Sequence, residues 1–78
     1  MSKGQVIRLN GDVVALVVDG EARIMDGLRE PAMLTVKGMC LFAMEVQAGA
    51  IDPPYTDERA LTYARLADRR RAGTAERR

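Results

Sequence analysis

The sequence predicts an α+β domain in which a three-run antiparallel β-meander precedes two α-helices, and three observations carry that prediction. Turn dipeptides punctuate short β-branched runs in the first third, helix formers crowd the middle, and a double proline is followed by a capped helix signal.

Asn10-Gly11, Asp19-Gly20 and Asp26-Gly27 all favour the left-handed backbone that a tight type I′ hairpin turn requires. They delimit runs at about 5–9, 12–18 and 21–25. In the third run Ala22 and Ile24 alternate with Glu21, Arg23 and Met25, the pattern of a half-buried strand. The second run, Val13-Val14-Ala15-Leu16-Val17-Val18, is apolar on both faces. It is therefore expected to be the central strand, or one covered on both sides.

In residues 31–48 two signals conflict. Even positions from Leu34 to Ala48 are apolar or glycine while Thr35, Lys37, Glu45 and Gln47 fall on odd ones, a strand-like period. Against it, Pro31 suits a first helical position, residues 41–48 are rich in helix formers, and Gly49 suits a left-handed C-cap. The second half is assigned to helix. For residues 31–40 two assignments stay open, the first turns of that helix or a fourth strand ending at Gly38. As a helix its polar residues spread around the circumference, so it would be buried on most sides and a second copy of the chain is expected to cover it.

Asp52-Pro53-Pro54 breaks the chain, after which Thr56 is placed as an N-cap with Asp57 and Glu58 in the first turn, where the helix dipole favours carboxylates. This second helix is expected over about 56–72 and to end at Gly73. Residues 1–73 read as one small domain and 74–78 as a polar tail.

A chain of 78 residues lies where a single apolar core supplies only roughly 3–5 kcal/mol, so small domains add disulfides, metals or self-association. Cys40 is the sole cysteine and histidine is absent, which excludes an internal disulfide and the usual structural zinc sites. Self-association remains. No apolar run reaches membrane-spanning length and the N-terminus has no signal-peptide core, so no membrane partner, no metal and no cofactor are expected, and residence is expected to be cytoplasmic. With no histidine, and with Cys40 set among Met39, Leu41 and Phe42, no catalytic site is expected and the chain reads as a non-enzyme.

Charge is uneven. Residues 10–58 carry three basic groups against nine acidic ones, whereas residues 59–78 carry seven arginines against Asp68 and Glu76. Arg65, Arg69, Arg70 and Arg71 are the candidate contacts for nucleic acid or another anionic partner, although complementing the helix C-terminus and aiding solubility explain them as well. The candidate protein interface comprises Met33, Val36, Met39, Leu41, Phe42, Met44 and Tyr63.

Lys3-Gly4-Gln5-Val6, Gly11-Asp12-Val13-Val14 and the Asp19-Gly20 hairpin resemble parts of the swapped-hairpin transcription factors of the AbrB and MazE antitoxin type. Those carry a Pro-x-x-Ile-Arg segment and a short helix where this chain has Asn10 alone. A strand followed by two helices is also similar to ribbon-helix-helix repressors, from which the long connection over 49–55 and the three-run meander depart. No family is assigned on either. The expected function is that of a small regulatory or adaptor protein, a homodimer that binds a larger protein, in the manner of phage and plasmid accessory proteins. The alternative is a nucleic-acid-binding transcriptional regulator using the arginine-rich helix.

Overall fold

The computed structural model describes residues 4–76. Strands β1 (Gly4–Leu9), β2 (Asp12–Val18) and β3 (Glu21–Ile24) form an antiparallel sheet in the order β1-β2-β3, followed by helices α1 (Glu30–Gln47) and α2 (Asp57–Glu76). The α+β class and the central position of β2 are as the sequence predicts.

The first two turn pairs close hairpins, with both central residues left-handed: φ is 54° and 86° at Asn10 and Gly11, and 51° and 78° at Asp19 and Gly20. Asp26-Gly27 differs. Only Gly27 is left-handed, at φ 91°, and the pair turns the chain toward α1, since no fourth strand follows to be paired. The β1–β2 register slips between Ile7, opposite Ala15, and Arg8, opposite Val13, leaving Val14 as the extra residue of a β-bulge. The bulge breaks the two-residue alternation, so Val14 and Ala15 are both buried. On the other side of β2 the ladder continues, with Met25 N–H donating to the Val14 carbonyl at 2.9 Å.

Residues 31–40 are helical. Val36, Met39, Cys40 and Ala43 recur at helical spacing and are buried, and α1 contacts all three strands. The even–odd pattern fails as a strand signal because α1 has two covered sides: one meets the sheet, and the other, carrying Gly38 and Phe42, meets α2. A cylinder covered on both sides needs apolar residues around most of its circumference, which a period of two mimics. The cover that the sequence suggested would come from a second copy thus comes from α2 of the same chain.

The helices approach closely at Gly38. A Cβ there would lie 2.7 Å from the Cβ of Ala64 and 2.9 Å from its Cα, closer than side chains tolerate. Ala60 and Ala64 are buried along the same seam.

The end of α1 is a Schellman motif. Gly49 at φ 82° donates to the Val46 carbonyl (3.1 Å) and Ala50 to that of Glu45 (2.9 Å), satisfying carbonyls the helix leaves open. At the start of α2, Thr56 Oγ1 accepts the Arg59 N–H at 3.2 Å, as an N-cap does. Gly73 does not end α2, which continues to Glu76. Glycine weakens a helix interior by only about 1 kcal/mol and does not stop it where its flanking residues favour helix. The core comprises Ile7, Val14, Ala15 and Val17 from the sheet, Val36, Met39, Cys40, Phe42 and Ala43 from α1, and Ala60 and Ala64 from α2. Complete burial of a side chain such as Ile7, Val17 or Met39 contributes on the order of 1.5–3 kcal/mol.

Candidate interaction surfaces

Helix α1 lies against one face of the sheet, the face bearing Ile7, Ala15 and Val17, while α2 packs on α1 and reaches β1 alone among the strands. The opposite, outer face carries Val6 and Arg8 of β1, Val13, Leu16 and Val18 of β2, and Glu21, Arg23 and Met25 of β3 with its continuation. Val6 lies across from Leu16, and Leu16 from Arg23, while Val18 lies across from both Gly4 and Glu21. A sheet face turned to water ordinarily bears polar side chains. Here Val6 is 42% exposed, Val13 47%, Leu16 39% and Met25 55%, and no described element covers them. The outward positions of the central strand are wholly apolar, and the charges Arg8, Glu21 and Arg23 sit on the two edge strands. Leu16, Val18, Asp19, Glu21 and Arg23 line a shallow depression there.

A second exposed apolar group lies on the helical hairpin. Leu34 and Leu41, two turns apart on α1, share the flank that Glu45 borders, and Glu45 Oε2 accepts the Tyr63 hydroxyl at 2.5 Å. Leu66, one turn beyond Tyr63 on α2, is exposed as well.

Of the residues picked out by sequence as an interface, Val36, Met39 and Phe42 are interior to the protomer and unavailable to a partner in this conformation. Met33, Met44 and Tyr63 are half-buried, and Leu41 is exposed. Phe42 is the hub of the chain's three aromatic residues, with ring centroids 5.6 Å from Tyr55 and 5.4 Å from Tyr63. The guanidinium of Arg59 lies 5.4 Å from the Phe42 ring centre and donates to the carbonyls of Asp52 (2.9 Å) and Pro54 (2.6 Å), so this arginine clamps the connection between the helices. Arg65, Arg69 and Arg70 are exposed on α2. The side chain of Arg71, and Arg77 and Arg78 altogether, lie outside the described residues.

The outer sheet face lies outside the interface expected from the sequence. Its signal was legible in the two-sided apolarity of Val13 to Val18, which predicted either a central strand or cover on both sides. The strand is central, and only one of its faces is covered by the described residues.

The titratable groups with shifted behaviour belong to packing. Burial pushes the Cys40 thiol above its ordinary value and so away from the reactive thiolate. Burial first, then the nearby Asp57 and Cys40, push the Tyr55 phenol far above its ordinary range, and its buried hydroxyl finds no hydrogen-bond partner among the described residues. Tyr63 is raised first by its hydrogen bond to Glu45, then by burial and by the charge of Glu45, with Arg70 pulling the other way.

A cleft beside Tyr55, Met44 and Pro53 is bordered by Gln5 and Gln47, whose amides are engaged in holding the fold together. Gln47 Oε1 accepts the Gly20 N–H (2.7 Å), and its Nε2 donates to the Val17 carbonyl (3.1 Å) and to Gln5 Oε1 (3.0 Å), tying α1 to the β2–β3 hairpin.

Among the described residues no three His, Cys, Asp or Glu side chains group as a metal site, and no helix is long and apolar enough to cross a membrane. Comparison with known protein families, with curated proteins and with solved structures finds no match.

Proposed function

We propose that the chain is a small non-enzymatic regulatory or adaptor protein of the cytoplasm, which self-associates and binds a larger protein. The observation that carries this reading is the outer sheet face, where Val6, Val13, Leu16 and Met25 stand exposed around a central strand with no outward charge. Exposed apolar patches of this kind mark contact sites. The exposed leucines of the helical hairpin, Leu34 and Leu41 on α1 and Leu66 on α2, supply a second contact. Two apolar surfaces on different sides of one fold suit an adaptor, which holds a copy of itself with one and its target with the other. The single thiol, buried and unpaired, fits a reducing compartment.

The test is quantitative co-purification. The full chain should recover one protein at fixed stoichiometry, with recovery lost in Leu41→Arg or Leu16→Arg and insensitive to moderate salt. A wild-type chain that sediments as a monomer at all concentrations and recovers no protein that depends on either leucine would defeat the reading.

Exposure of Arg65, Arg69 and Arg70 along one helix favours a second reading, a nucleic-acid-binding regulator. It requires duplex binding that weakens steeply with salt and is lost when Arg69 and Arg70 become alanine. Anisotropy titrations with a labelled duplex at several salt concentrations separate the two.

A further inference from the structure

We infer that the free edge of β1, with the cleft at its start, takes an extended segment of a target protein as a fourth strand, one whose alternate side chains are apolar. The inference rests on the proposed binding role and names how the target is held.

The two-residue turns fix the direction of each backbone group in the sheet. The residues that close such a turn bond to each other through both N–H and C=O, and direction alternates from there. Leu9 and Asp12 close the first turn, so Leu9, Ile7 and Gln5 bond toward β2 while Arg8, Val6 and Gly4 point away from it. The second turn agrees. Val18 and Glu21 close it, so Leu16 bonds toward β3, and Val17 and Ala15 bond toward Gln5 and Ile7. The bulge lies in β2 and leaves the alternation along β1 unbroken. Among the described residues no backbone bond beyond the sheet ladder reaches Gly4, Val6 or Arg8.

Open edge strands are ordinarily guarded by proline, by charge turned toward the core or by shortness. The other edge, β3, is short at four residues. β1 has six residues, no proline, and only Gln5, Ile7 and Leu9 on its helix-facing side. Unpaired N–H and C=O groups at alternate residues are the complement of one kind of ligand, an extended backbone.

The surroundings of β1 select the occupant. A second copy pairing its own β1 there would carry its α2 onto the side where the first α2 already lies, since α2 reaches β1 alone among the strands. An extended segment of a target brings no helix with it. Residues of that segment opposite Gly4, Val6 and Arg8 would turn outward, and those between them would turn toward the helices. The one opposite Gln5 meets the cleft of about 950 Å³, lined there by Met44, Val46, Pro53 and Tyr55, which suits an apolar side chain.

The test uses the full chain and four labelled peptides, Thr-Val-Thr-Xaa-Thr-Val-Thr with leucine, isoleucine, methionine or phenylalanine at the centre. At least one should bind saturably by fluorescence anisotropy. N-methylation at its threonines, whose N–H groups would face β1, should weaken binding about tenfold or more, and N-methylation at the residues between them should not. By NMR, binding should slow amide exchange at Val6 and Arg8 and leave Gln5 and Ile7, already bonded to β2, as they were. Val6→Pro removes an edge N–H without touching the β2 ladder, so it should keep the circular dichroism spectrum and lose the peptide. No binding by any of the four peptides, or equal weakening by both N-methylated sets, would overturn the inference, and neither result depends on a variant folding. Slowing of Val6 and Arg8 by rising protein concentration alone would assign the edge to a second copy and overturn the target. Recovery of a target that needs Leu41 but survives Val6→Pro would overturn strand addition and leave the adaptor reading intact.

Discussion

Gly38→Ala gives opposite signs depending on whether the approach of the two helices governs this fold. At an unobstructed helical site the change gains about 0.8–1 kcal/mol from helix propensity. At Gly38 the new methyl would stand 2.7 Å from the Cβ of Ala64 and 2.9 Å from its Cα, so α2 must retreat by most of an ångström to reach ordinary contact. The second atom is backbone, so no rotamer change relieves it. Overpacking of this kind costs about 1–3 kcal/mol, and subtracting the propensity gain leaves a net loss of roughly 0–2 kcal/mol. Ala64→Gly alone should lose about 1–2 kcal/mol from propensity and one buried methyl. In the double variant the glycine and the alanine exchange places, the propensity terms cancel, and stability should return to within about 1 kcal/mol of the wild type. Urea unfolding followed by far-ultraviolet circular dichroism on the four proteins measures the coupling. A Gly38→Ala protein about 1 kcal/mol more stable than wild type, with effects that simply add in the double variant, would refute the close-approach reasoning.

Removing the partnerless Tyr55 hydroxyl by Tyr55→Phe should be neutral or stabilising by up to about 1 kcal/mol in the same unfolding assay, and a clear loss would mean the hydroxyl has a partner. Because the folded pKa of Tyr55 lies above its ordinary value of 10.0, stability is fully present below pH 10. Above it the unfolded phenol ionises and the folded one does not, so stability falls by about 1.4 kcal/mol per pH unit, a slope that Tyr55→Phe should flatten. Thr56→Ala should cost about 1 kcal/mol through loss of the bond to the Arg59 N–H, and Thr56→Ser should retain most of it.

Turn chemistry made the sheet legible in the sequence, because Asn10-Gly11 and Asp19-Gly20 demand a backbone that almost only a two-residue hairpin uses. Capping chemistry did the same for Thr56 and Gly49. What stayed hidden depends on contacts between distant residues. The bulge at Val14 has no glycine or turn pair to mark it, so nothing local announces that Val14 and Ala15 are both buried. The first half of α1 was ambiguous because two-sided burial erases the polar stripe that identifies an amphipathic helix. The same burial placed Val36, Met39 and Phe42 inside the protomer instead of at its surface. Apolar residues in a sequence state how much must be covered, and only the fold states by what. For β2 the fold covers one face and leaves the other.

Sedimentation of the wild-type chain beside Leu16→Arg, from about 1 µM to several hundred, tests that open face most directly. The expected result is a wild type that passes from monomer to dimer with rising concentration and a folded variant that stays monomeric throughout. Indistinguishable behaviour of the two proteins would contradict the role given to the sheet.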